Sequence, residues 1–388
     1  MRPSTEHDAI VETARRFARE KLAPHYMARE QVGRVDKALI REMGALGLIG
    51  ADLPEKFGGY GQSSELAGQI IEAIGYGDFN VSYVQLLASL QGTILAKHAA
   101  PTLAEHWIGR IVSGESIIAV ALTEPRGGSD AANLQLSAKR VGDRYILNGE
   151  KSSISMADQA DATIVFARTG KPDEGARGVS AVLVPMDTKG VTTKRFNDLG
   201  SKAIGRGSIF FDDAEIPVDH RLADEGKGFA QVMQGFDYSR ALIALQCAGA
   251  AQASLDETWA YIKERRAFDA PLAQYQGVTF PLAEAETMIM ALRQLALHTL
   301  RLKDEGRSHT SEAAMCKWLG PKTGVDVTHQ CLLTHGHYGW SLDLPHQQRM
   351  RDIMGLEIGD GTAQIMKLVI AREKVGRVAL QYQQQKRD

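Results

Sequence analysis

Near the end of this 388-residue sequence a carboxylate that could act as a base stands between two glycines, Gly359-Asp360-Gly361-Thr362. Glycine takes backbone angles that a Cβ forbids, so chain and carboxylate can both come close to a ligand. Thr362 is placed to cap a helix whose apolar face includes Ile365, Leu368 and Val369. A helix start of this kind can meet a phosphate or an oxyanion. The plainer reading is an Asp-Gly turn before a helix.

Two further segments bring donors and charge. Leu122-Thr123-Glu124-Pro125-Arg126-Gly127-Gly128-Ser129-Asp130 offers hydroxyls and backbone N–H groups in a loop open to close approach, although alone it reads as a turn. Glu264-Arg265-Arg266-Ala267-Phe268, followed by Gln276, supplies a guanidinium, an aromatic face and an amide for anion and ring recognition. Its plainer reading is a solvated basic helix end, which the macrodipole favours. Met350-Arg351-Asp352 and Ala371-Arg372-Glu373 flank the aspartate segment on either side.

Other chemistries find no support. Neither the Gly-x-Gly-x-x-Gly of a dinucleotide fold nor the Gly-Lys-Ser/Thr of a P-loop occurs, and no serine-nucleophile motif is present. His335-Gly336-His337 lacks a third clustered ligand, so no metal is expected. The 45 lysines and arginines nearly balance 47 acidic residues, which gives no field for nucleic acid or an anionic membrane. Cys247, Cys316 and Cys331 read as reduced thiols. The first ten residues lack a signal-peptide core and no apolar run reaches membrane-spanning length, so a cytoplasmic protein is expected.

The elements that must position these segments follow from periodicity. Ile10, Val11, Ala14, Phe17, Ala18 and Leu22 trace a helical stripe, and Leu39, Ile40, Met43 and Leu46 begin another after an Asp36 cap. A loop at Leu53–Gly61 interrupts the helices. Residues 144–147, 163–168, 179–184 and 208–211 are rich in β-branched and aromatic types and read as strands, with a hairpin turn at Asn148-Gly149. Helical spacing returns at 229–265, 281–306, 311–334 and 362–381. The spacing therefore predicts an α+β fold: a helical domain over 1–114, an antiparallel β domain over 115–224 and a four-helix bundle over 225–388.

Taken together and in this order, the segments resemble the acyl-CoA dehydrogenase family over roughly residues 5–378. Thr123–Asp130 meets its Thr-Glu-Pro-x-x-Gly-Ser-Asp pattern and Asn148–Lys151 its Asn-Gly-x-Lys. Phe236, Asp237 and Arg240 meet Phe-Asp-x-x-Arg, and Glu264, Arg265 and Phe268 meet Glu-Arg-x-x-Phe. Asp360, Gly361, Thr362 and Gln364 meet Glu-Gly-Thr-x-Gln with aspartate for glutamate.

The resemblance implies an FAD-binding homotetramer that dehydrogenates an acyl-CoA and passes electrons to electron-transferring flavoprotein. It implies flavin contacts at Leu122, Thr123, Ser129, Ile154 and Ser155, completed by Thr362 and Gln364, with Arg265, Phe268, Gln276 and Gly336 reaching the FAD of a neighbouring subunit. Substrate contacts fall on Ser129, Asp237, Arg240, Gly361 and Arg372, and the base on Asp360. Removing an α-proton builds enolate charge on the thioester oxygen, so pre-aimed donors must face it while the β-hydride leaves to the flavin.

Departures from the family pattern bear on substrate. Aspartate is shorter than glutamate by one carbon–carbon bond, about 1.5 Å, and a misplacement of about 1 Å can cost on the order of a hundredfold in rate. Position 239, where some members carry a glutamate base, is serine, and Glu357 is a weaker substitute. Gly359 replaces a common tyrosine and Ser153 a tryptophan that often covers the flavin. Leu333 and His337 replace a glutamine and a glycine near the adenosine end. The room beside the reacting carbons suggests a cyclic or branched acyl group, such as cyclohexanecarboxyl-CoA. Two other readings stay open: a nitroalkane-oxidase-like oxidase of a small carbon acid, whose relatives use aspartate as base, and a non-catalytic relative.

Overall fold

Asp36 caps a helix as its type predicts, accepting from the Ala38 N–H at 2.9 Å. In the computed structural model, which describes residues 5–379, that helix is the third of six in the first unit: α1 (Thr5–Phe17), α2 (Tyr26–Val32), α3 (Lys37–Ala45), α4 (Ser64–Gly77), α5 (Phe79–His98) and α6 (Pro101–Val112). The predicted stripe is the buried one, with Val11, Ala14, Phe17, Ala18 and Leu22 in the core and Ile10 packed against it. Among the described residues no helix is long and apolar enough to cross a membrane.

Strands follow: β1 (Ile118–Ala121), β2 (Ser137–Val141), β3 (Arg144–Ile154), β4 (Ala162–Arg168), β5 (Val179–Pro185), β6 (Val191–Arg195), β7 (Gly207–Pro217) and β8 (Arg221–Leu222). They form one sheet in the order β6-β7-β3-β2-β4-β5-β8, with β1 against β4. Most ladders are antiparallel, but β1 runs parallel to β4, so the sheet is mixed. Alternation along β4 serves two cores: Val165 and Ala167 face the β interior, while Ile164 and Phe166 join the helical core.

The expected hairpin at Asn148-Gly149 does not form. β3 runs straight through it, pairing Leu147 with Ala214 and Gly149 with Phe211 across a register shift. Gly149, at φ 136°, makes a bulge there, and the β2–β3 turn lies at Gly142-Asp143 instead. The long β7 partner outweighs local turn chemistry.

The last unit comprises α7 (Gly228–Glu264), a short β9–β10 hairpin (Arg266–Ala267, Ala270–Pro271), α8 (Gln276–Asp304), α9 (Thr310–Thr334), α10 (His346–Ile358) and α11 (Ala363–Val375). α7 packs against α4, α5, α8 and α9. Close crossings rely on small residues: a Cβ on Gly249 would sit 2.1 Å from the Glu72 carbonyl oxygen. α8 begins at Gln276, so Pro281 lies inside it, and α10 is an additional helix that periodicity did not reveal. The last predicted helix ends at Val375, and its expected continuation beyond 379 lies outside the described residues.

Candidate active site

The aspartate segment is the turn between α10 and α11. Gly359 ends α10, donating its N–H to the Gly355 carbonyl at 2.9 Å. Asp360 (φ 54°) and Gly361 (φ 99°) then reverse the chain. Thr362 Oγ1 caps α11 by accepting from the Ile365 N–H at 3.3 Å. On α11 the fully buried residue is Met366, whereas Ile365, Leu368 and Val369 are half-buried.

Two cations flank this turn. Lys317 of α9, only 1 % exposed, donates to the Leu356 carbonyl and, at 3.1 Å, to the Gly361 carbonyl. Arg240 of α7 is buried and donates to Asp237 Oδ1 at 2.9 Å, and Asp237 Oδ2 accepts from Thr310 at 2.7 Å. Its Nε is buried without a partner among the described residues. Burial raises the Asp360 carboxyl above the ordinary aspartate value, against the pull of Lys317 and Arg240. No side chain among the described residues hydrogen-bonds that carboxylate, so its lone pairs stay open for a proton. The buried Tyr83 hydroxyl of α5 feels the Asp360 charge, after burial itself, as a push upward. Arg372 pairs with Glu373 at 3.2 Å, and its charge is felt at Arg240.

The Leu122–Asp130 loop is fixed from beneath. Lys151, fully buried on β3, donates to Glu124 at 2.8 Å and to the Leu122 carbonyl at 3.0 Å. Glu124 also accepts the Gln135 and Leu136 N–H groups at 2.7 and 2.8 Å. Burial alone would raise the Glu124 carboxyl, but Lys151 and these N–H groups hold it below its ordinary value. The Ser152 N–H reaches the Thr123 carbonyl at 2.9 Å, which sets Leu122 and Thr123 beside Ile154 and Ser155. Leu122 and Ile154 are buried, Thr123 and Ser155 half-buried, and Gly127, Gly128 and Ser129 exposed. Ser153 takes φ 62°, and Arg206, held by Asp198, donates to its Oγ at 3.1 Å.

Arg265, Phe268, Gln276 and Gly336 gather elsewhere. Arg240 and Arg265 are separated by the remaining length of α7, about 36 Å at ~1.5 Å per residue. The Tyr261 and His335 rings stack at 4.1 Å, joining the ends of α7 and α9 and bringing Gly336 toward the β9–β10 hairpin. Phe268 is 94 % exposed there, and Leu333, Tyr338 and Trp340 are exposed as well. Gln364 is exposed on the first turn of α11. Ser239 is buried with its hydroxyl on the Phe236 carbonyl, and Glu357 is exposed.

Sequence reasoning missed Lys317, Tyr83 and Arg206. A lysine inside the apolar run Ala313-Ala314-Met315-Cys316-Lys317-Trp318-Leu319 was a readable signal, since such a charge must have a partner. Tyr83 and Arg206 carried none. Among the described residues no group of His, Cys, Asp or Glu could hold a metal ion.

Comparison with known proteins decides the family. The N-terminal, middle and C-terminal domains of acyl-CoA dehydrogenase match residues 4–115, 119–214 and 226–375. The chain belongs to the acyl-CoA dehydrogenase family. It is 34% identical over 371 residues to the probable acyl-CoA dehydrogenase YngJ of Bacillus subtilis, covering 95% of this chain and 97% of that protein. Butyryl-CoA dehydrogenase from Megasphaera elsdenii has the same fold at a TM-score of 0.93, with 30% identity over 96% of this chain and 99% of that one. A glutaryl-CoA dehydrogenase in complex with glutaryl-CoA superposes at a TM-score of 0.94, with 28% identity over 97% of this chain and 96% of that one.

FAD is the cofactor of this acyl-CoA dehydrogenase family, and the residues present fit it. The open Gly127-Gly128-Ser129 loop, the half-buried Thr123 and Ser155 hydroxyls and the capped start of α11 each offer donors of the kind a flavin and its phosphates require. In this acyl-CoA dehydrogenase the Asp360 turn is held by Lys317 from the side of α9.

Proposed function

We propose that this acyl-CoA dehydrogenase takes the α-proton of a cyclic or branched acyl-CoA on Asp360. The observation that carries the reading is the turn itself: an open carboxylate, raised by burial, flanked by Lys317 and Arg240. A raised carboxyl is a better match for proton abstraction near neutral pH. The flavin supplies the acceptor for the β-hydride. A Cβ added to Gly359 would meet only the Gly355 carbonyl, at 3.4 Å, which supports room beside the reacting carbons for a ring or a branch. The acyl groups named for the butyryl- and glutaryl-CoA relatives are short, which supports a short acyl group here.

In this reading Leu122, Thr123, Ser129, Ile154, Ser155, Thr362 and Gln364 hold the flavin of their own chain. Ser129, Asp237, Arg240, Gly361 and Arg372 meet the thioester. Arg265, Phe268, Gln276 and Gly336 serve the FAD of another copy, and a homotetramer would cover their exposed aromatic surroundings. Electron-transferring flavoprotein is the proposed acceptor. The test is anaerobic titration of the purified flavoprotein with cyclohexanecarboxyl-, isobutyryl-, butyryl- and octanoyl-CoA. Fastest bleaching by the ring or branched thioester supports the proposal; reduction by the linear ones alone overturns it. Rapid reoxidation by oxygen with no CoA ester accepted would instead indicate an oxidase of a small carbon acid.

A further inference from the structure

We propose that Lys317 is the positioning residue of the base turn: its buried ammonium ties the carbonyls of Leu356 and Gly361 together and thereby fixes Asp360, which lies between them in the chain. The inference rests on the reading of Asp360 as base.

Three observations carry it. Lys317 projects from an apolar stretch of α9 and is 1 % exposed, a placement that disfavours an ammonium unless specific acceptors meet it. The acceptors it finds are two backbone carbonyls, Leu356 in the last turn of α10 and Gly361 just before α11, rather than a carboxylate side chain. The segment so tied contains a non-glycine residue in the left-handed region, Asp360 at φ 54°. Such a conformation persists only where the surroundings over-determine it. One side chain reaching both ends of the turn does that.

The same ammonium acts on the base electrostatically. The groups facing it are Asp360 on the turn, Arg240 and Cys247 on α7 and Glu357 on α10. Burial pushes the Lys317 ammonium down to about 8, with Asp360 the largest opposing influence. Reciprocally, Lys317 is the first influence holding the Asp360 carboxyl down against burial. Lys317 touches neither substrate nor the reacting atoms in this account. It sets where the carboxylate sits and at what pH it is ionised.

The test is the pH profile of kcat/KM in holoenzyme carrying Lys317→Met, Lys317→Gln or Lys317→Arg, each first measured for flavin content and Tm. In Lys317→Met kcat should fall on the order of tenfold to a hundredfold, as expected for a base displaced by about 1 Å, with KM nearly unchanged. Its acidic limb should move up by about one pH unit, because the cation that favoured the carboxylate is gone. Lys317→Gln keeps donors for the carbonyls but not the charge, so its limb should move as far with a smaller loss of kcat. Lys317→Arg keeps the charge and should hold the limb near the wild-type position. Folded variants with wild-type kcat and an unmoved limb overturn the proposal. If Lys317→Met does not accumulate, the glutamine and arginine variants carry the same comparison. If no acyl-CoA reduces wild-type flavin, the dehydrogenase reading fails separately. The pH at which Asp360 stops reacting with a carbodiimide, read by peptide mass, then tests Lys317 without turnover; equal values in wild type and Lys317→Gln overturn the proposal.

Discussion

The Tyr26 hydroxyl donates to the Asp352 carboxylate at 2.6 Å, both buried and 326 positions apart in the chain. Asn80 Nδ2 and the Ser201 N–H reach the same carboxylate at 2.8 and 2.5 Å, so one side chain joins the N-terminal helices, the β region and α10. The helix that Asp352 anchors is the one that ends at the Asp360 turn.

An Asp352→Asn protein should lose about 2–4 kcal/mol, since an amide turns a donor toward groups that are already donors. Burial lifts the Asp352 carboxyl to about 6 in spite of its three donors. For an acid raised on folding, the protonated form is favoured in the native state, so this contribution is present at low pH and lost as pH rises through about 6. The Tm gap between wild type and Asp352→Asn should therefore be wider near about pH 5 than near about pH 8. A gap that grows with pH would contradict this.

Lys151→Met should weaken flavin retention. It leaves Glu124 buried without its cation and the Leu122 carbonyl without its donor, a change costing about 3–5 kcal/mol. The expected result is a lowered Tm and loss of yellow colour on desalting. Full flavin content with an unchanged Tm would rule out Lys151 as the support of that loop.

Gly361→Ala tests the geometry of the turn. At φ 99° any side chain is strained, and a Cβ would lie 2.5 Å from Met366 Cε. Strain of about 1–3 kcal/mol should be relieved by shifting the turn and Asp360 with it. Flavin content should stay near normal while kcat falls at least about tenfold. Wild-type kcat would mean that the turn has slack.

Arg240→Lys should act on binding. The guanidinium keeps one donor on Asp237 and a buried Nε with no partner among the described residues, which suits an acceptor on the thioester ligand. Losing a hydrogen bond from a charged donor costs about 1.5–3 kcal/mol, so KM should rise on the order of tenfold with a smaller change in kcat. Steady-state kinetics with the preferred acyl-CoA checks this, and an unchanged KM contradicts it.

How much of this was legible depends on how local the deciding physics was. The Asp36 and Thr362 caps and the stripe on α1 were readable because one element settles each. Asn148-Gly149 misled because a ladder with β7, more than sixty residues on, overrides a two-residue turn preference. α10 escaped notice because its buried face mixes His346, Gln348, Arg349 and Asp352 with Ile353 and Leu356, so no apolar period marks it. The aspartate could be proposed as the base from sequence, and Arg240 beside the substrate, but the neighbours Lys317 and Tyr83 could not. Lys317, Arg240 and Tyr83 come from three different helices and meet only in the folded chain.

Asp360→Asn tests the central claim most directly. The amide keeps the shape of the carboxylate but cannot accept the α-proton, and loss of a general base costs on the order of 10²–10⁴ in rate. The predicted result, in an anaerobic stopped-flow titration with the best acyl-CoA, is a fully flavinated protein whose bleaching slows by that factor. Bleaching as fast as wild type would show that the base lies elsewhere.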